Sequence, residues 1–77
     1  MMINEKIDKL KENLKGIKLK IFEKAIGILK LKKNINEYDI NIIQKLSKKL
    51  TKKEYKNIDN EKNIENYALN LVNKFIK

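Results

Sequence analysis

The chain has 77 residues, with 19 lysines, no arginine and ten acids, for a formal charge of +9. It contains no Cys, His, Trp or Pro, which excludes a structural zinc site, a thiolate nucleophile, a disulfide framework and an imidazole base. Without Arg there is no bidentate fork for guanine or a carboxylate.

A chain this short is expected to make one domain over 1–77 with a single core, burying about 60% of its unfolded surface. Apolar residues make up 42% of it, mostly Ile and Leu at regular spacing, which favours a folded chain over a disordered one. No apolar run exceeds three residues, as in Met1-Met2-Ile3, far from the roughly 20 residues that span a bilayer. The opening MMINEKIDKL does not read as a signal peptide. A cytoplasmic protein is expected, with a peripheral place at the inner membrane face as the variant.

Lys, Asn and Ile together fill 43 positions. All three have AT-rich codons, so the lysine excess has a genomic reading beside a functional one. Its distribution is uneven. Residues 1–33 carry ten Lys and four acids (+6), residues 34–58 six and three (+3), and residues 59–77 three and three (0). The positive field therefore lies outside the last helix.

A first helix is predicted over 3–15, from the stripe Ile3, Ile7, Leu10 and Leu14, with Gly16 as a left-handed stop. A second is predicted over 17–33. Its apolar residues cover more than half the wheel, which marks a central helix. Alternation in Ile17-Lys-Leu19-Lys-Ile21 and Leu29-Lys-Leu31 makes a β-hairpin over 17–33 the rival. The third helix opens at the N-cap Asn36, aided by Asp39, and runs to about 50 with Ile40, Ile43, Leu46 and Leu50 inward.

Thr51-Lys52-Lys53-Glu54 reads as a capping box for a short helix over 52–58, with Tyr55 and Ile58 inward. Asp59-Asn60 caps the last helix, predicted over 61–76 on Ile64, Tyr67, Ala68, Leu71, Val72, Phe75 and Ile76. The predicted fold class is all-α: a small antiparallel helical bundle of four main helices plus one short helix.

The leading candidate site is a basic stripe of Lys45, Lys48, Lys49, Lys52, Lys53 and Lys56, spaced 3, 1, 3, 1, 3. On a continuous helix these six share one face, opposite Ile43, Leu46 and Leu50. Such a face suits a phosphate backbone, an anionic membrane surface or an acidic protein. The alternative is a merely solvated face, and a kink at Thr51 would splay the last three lysines away.

Base readout finds little support. The Asn residues are spread evenly, several at caps, and no helix–turn–helix is visible. Tyr38, Tyr67, Phe22 and Phe75 sit at core-like positions, which argues against base stacking. The 17–33 segment also reads as an interfacial or partner helix, though a central bundle helix explains it. Ser47 and Thr51 lack a His to activate them, the carboxylates are unpaired, and two isolated glycines make no phosphate loop. No catalytic, cofactor-binding or metal-binding residue is assigned, and no cofactor is expected.

Residues Ala25 to Thr51 resemble the middle of the pediocin-like (class IIa) bacteriocin immunity proteins. The matching residues are Ala25, Ile28, Glu37-Tyr38, Ile42-Ile43, Leu46, Lys48 and Leu50-Thr51, and Asn73-Lys74-Phe75-Ile76 resembles the close of that family's last helix. The resemblance implies a small basic cytosolic four-helix bundle without catalytic residues. Such a protein acts on a sugar-transporter membrane complex once a bacteriocin has docked and keeps its pore shut. The family usually continues into a tail tied to specificity, whereas this sequence closes at Lys77, so no site residue carries over.

The functional expectation is a non-enzymatic helical binding protein, most specifically one like a bacteriocin immunity protein. One alternative is a lysine-driven, sequence-nonspecific nucleic-acid-binding protein. The other is a small phage- or plasmid-encoded inhibitor or regulator. The partner is an anionic macromolecule or a membrane-associated protein.

Overall fold

The structure, a computed structural model, describes residues 3–55 and 60–75. It is an all-helical bundle of four helices: α1 (Ile3–Lys11), α2 (Ile17–Lys32), α3 (Glu37–Lys52) and α4 (Glu61–Phe75). There is no strand among the described residues.

The hairpin reading of 17–33 is thereby overturned. A strand would bury alternate residues, but the buried set in this segment is Ile21, Phe22, Ala25, Ile26 and Leu29, which recurs at helical spacing. Leu31, the last apolar residue of the alternating pattern, is 89% exposed. α2 is central as expected, packing most extensively on α4 and also on α3, while α1 packs on α3. α2 and α3 supply six of the seven largest fully buried side chains: Ile21, Phe22, Leu29, Ile43, Leu46 and Leu50, with Val72 from α4. Each is worth about 1.5–3 kcal/mol relative to exposure.

α1 stops at Lys11 rather than 15. The amides of Glu12, Asn13 and Leu14 donate to the carbonyls of Lys9, Leu10 and Lys11, at 3.2, 3.3 and 3.0 Å. This i to i−3 pattern winds the chain more tightly than an α-helix, yet it still delivers Leu14 into the core. Gly16 has φ 61° and ψ −130° and stands at the N-cap of α2. It therefore opens α2 instead of closing α1 with a left-handed helical cap, in a conformation open mainly to glycine.

The Asn36 cap is present in full. Asn36 Oδ1 accepts from the Asp39 amide at 3.1 Å, and Asp39 Oδ2 accepts from the Asn36 amide at 3.0 Å. At the start of α4, Asn60 Oδ1 accepts from the Asn63 amide at 2.8 Å. Asp59 and Ile76 lie outside the described residues.

The predicted capping box at Thr51 is absent. α3 runs through Lys52, and Lys53 follows in extended geometry (φ −103°, ψ 140°). Thr51 Oγ1 donates to the Lys48 carbonyl at 2.7 Å, and Thr51 lies within α3, so it lacks the non-helical backbone that an N-cap requires. Lys18 Nζ donates to the Thr51 carbonyl at 2.9 Å, closing the end of α3 from α2. Residues 53–55 are not helical, and the rest of the predicted short helix, with Ile58, lies outside the described residues. Tyr55 packs against the core as expected.

Two of the four aromatics placed in the core are not there. Tyr38 is 75% exposed and Tyr67 36%, whereas Phe22 is fully buried and Phe75 partly so. In the first turn of α3 the inward position belongs to Asp39, 2% exposed, because its carboxylate completes the cap. Tyr38 is thereby turned outward.

Candidate anion-binding face

The inner row of α3 dictates its outer row. With Ile40, Ile43, Leu46 and Leu50 buried, Lys45, Lys48, Lys49 and Lys52 fall on other faces of the same rigid helix. Together with Lys53 they line one open surface depression. Helix α3 is unbroken at Thr51, so the expected splaying does not occur for Lys52. Lys53 leaves the helix but stays with the group. Lys56 lies outside the described residues. Glu54, the acid that interrupts the stripe in sequence, lines a different depression with Lys15, Ile17, Lys18 and Tyr55.

One edge of this face adjoins α4. Lys49 Nζ lies 5.7 Å from the centre of the Phe75 ring, and Lys53 Nζ 5.7 Å from the centres of both Tyr55 and Tyr67. Each ammonium gains from the negative face of the ring beneath it. The Tyr55 and Tyr67 rings meet edge to face, with centres 5.4 Å apart and planes at 86°, a preferred geometry for aromatic pairs.

Lys49 is held below the ordinary lysine range. The largest cause is the Lys74 amine beside it, followed by loss of hydration and repulsion from Lys53. Burial pushes the Tyr55 phenol up, and neighbouring Tyr67 adds to this. Lys74 and Tyr67 are participants that the lysine spacing did not reveal. The signal was present on α4, where Tyr67, Lys74 and Phe75 stand at i, i+7 and i+8 and so share one side of the helix.

Elsewhere the polar groups serve the fold. Asp39 is held below the ordinary carboxylate value, chiefly by the Asn36 amide and then by Lys33, against the opposing effect of burial. Its ion pair with Lys33 spans 3.1 Å. Among the described residues no buried side-chain nitrogen or oxygen lacks a hydrogen-bond partner. None of the described residues form a group of three or more His, Cys, Asp or Glu that could hold a metal. A further depression, between the start of α1 and the α2–α3 connection, is lined by Ile3, Ile7 and Ile35 together with the polar side chains Asn4, Lys30, Lys33, Asn34 and Glu37.

No family model, curated protein or solved structure matches the chain. No helix among the described residues is long and apolar enough to cross a membrane.

Proposed function

We propose that the protein is a non-enzymatic helical binding protein that takes an anionic macromolecule, the phosphate backbone of nucleic acid, on the lysine face of α3. The observation that carries this reading is the gathering of Lys45, Lys48, Lys49, Lys52 and Lys53 around one depression. In this reading the four helices form an antiparallel bundle, and α3 presents the ammonium groups from a rigid element. Lysines act as point charges, and without Arg no base edge is read bidentately, so binding is independent of sequence.

The test is fluorescence anisotropy of a labelled nucleic acid titrated at about 50 and 200 mM salt. Five neutralised phosphates give a log–log salt slope near about −4.5 on duplex DNA, or about 500-fold weaker binding across that range. Lys48→Glu/Lys52→Glu is expected to abolish the interaction. No binding at the lower salt, or binding indifferent to salt, refutes the reading.

A second reading is supported by the resemblance over Ala25–Thr51 together with the four-helix, all-α architecture. Here the protein acts like a bacteriocin immunity protein at a membrane transporter–bacteriocin complex. Expression in a bacteriocin-sensitive strain tests it, and unchanged sensitivity across a panel of class IIa peptides removes it.

A further inference from the structure

We infer that the α3–α4 edge of the lysine face is a site for single-stranded nucleic acid, with Lys49 and Lys74 holding a backbone phosphate and Tyr67 offering its ring to a base. The inference rests on the nucleic-acid reading above and narrows it from polyanion to single strand.

The first support is the placement of the cations. Lys49 Nζ reaches across to the Phe75 ring at 5.7 Å, and Lys74 precedes Phe75 in the last turn of α4, so the two cations stand on the same edge. Two ammonium groups on one edge repel each other, and a phosphate between them replaces that repulsion with two attractions.

The second support is the aromatic ring. Tyr67 is 36% exposed, and its contact with the edge-to-face Tyr55 fixes its orientation. Lys53 Nζ stands over it, so a phosphate binder and a stacking surface occur side by side. Grooves that bind single strands combine a cationic track with aromatic platforms on which any base can stack. A duplex keeps its base faces stacked inside and meets this surface with phosphates alone, so Tyr67 serves duplex binding only by supporting Lys53.

The test uses the full chain and labelled single-stranded and duplex DNA of equal length at about 50 mM salt. Wild type is compared with Tyr67→Leu, which keeps apolar bulk but loses the ring, and with Tyr67→Phe. The single strand is expected to bind more tightly than the duplex. Tyr67→Leu is expected to weaken single-strand binding by about 5- to 150-fold, the effect of losing one stacked base. Duplex affinity falls by less, only through the lost support of Lys53, and Tyr67→Phe, which keeps the ring, retains wild-type behaviour on both. Helical circular dichroism reports whether Tyr67→Leu is folded.

If Tyr67→Leu does not fold, Lys74→Ala decides. The salt slope on the single strand is expected to become shallower by about 0.7, one phosphate contact, and an unchanged slope overturns the inference. Equal affinity for both nucleic acids, or equal losses on both in a folded Tyr67→Leu, overturns the single-strand site while the lysine-face reading stands. Binding to neither at the lower salt overturns both, as does binding only to phosphatidylserine vesicles.

Discussion

Asp39→Ala is the most informative perturbation of the fold, because one buried carboxylate holds the start of α3 in two ways. It removes the bond from the Asn36 amide to Oδ2 (3.0 Å) and the ion pair from Lys33 to Oδ1 (3.1 Å). It spares the bond from the residue-39 amide to Asn36 Oδ1. A hydrogen bond to a charged group contributes about 1.5–3 kcal/mol. The Lys33 pair adds little, since that lysine side chain is 41% exposed and such pairs are worth about 0–1 kcal/mol. Relief from burying a charge offsets part of the loss.

The expected net cost is about 2 kcal/mol, against a total of about 4–12 kcal/mol for a chain of this length at 0.05–0.15 kcal/mol per residue. At 4–8 °C per kcal/mol for a small domain, the midpoint falls by about 8–16 °C. Helical circular dichroism followed through heat and urea unfolding measures it.

The pH dependence gives an independent check. The pKa of Asp39 is depressed on folding. The stabilisation is therefore present above the unfolded carboxylate value of about 3.9 and is lost as pH falls through the lower folded value. The gap between wild type and Asp39→Ala should persist from neutral pH to about 5 and close below about 4. A gap under about 0.5 kcal/mol at neutral pH, the range of an ordinary surface substitution, refutes the assignment. So does a gap that acid does not shrink.

The two glycines are expected to respond to alanine with opposite signs. At Gly16 no atom would crowd a Cβ, but φ is 61°, so Gly16→Ala costs about 1–3 kcal/mol of backbone strain. Gly27 lies inside α2 with nothing near a Cβ, so Gly27→Ala stabilises by about 0.5–1 kcal/mol. Urea unfolding of both variants checks this, and equal signs would show that the Gly16 backbone is not held as described. Lys74→Met removes the chief cause of the lowered Lys49 pKa. The Lys49 titration followed by side-chain NMR should move up toward the ordinary lysine range, and no movement would show that the two ammonium groups are not neighbours.

Most of the helical framework was legible along the chain because its causes are local. The spacing of Ile40, Ile43, Leu46 and Leu50 defined the buried side of α3, and all four are buried. Asn36 and Asn60 were legible as caps, since the reach of a short amide side chain to an amide three residues on depends only on neighbouring residues. Even α2, where period two competed with the helical period, follows the longer pattern. Packing against both α4 and α3 rewards a helix that is apolar on several sides, and an isolated hairpin is marginal in water.

What the sequence by itself determined is therefore the helices, most of their ends and the row of lysines on α3. Only the tertiary structure decided the rest, because each outcome depends on a neighbour distant in the chain. Lys18, 33 residues away, closes the end of α3, and Thr51, which reads locally as a cap, lies within the last turn. The approach of α4 to α3 puts Tyr67 and Lys74 beside Lys49 and Lys53. A row of lysines on one helix is only a charge pattern. Ammonium groups and an exposed ring on two helices become a candidate site when core packing brings those helices together.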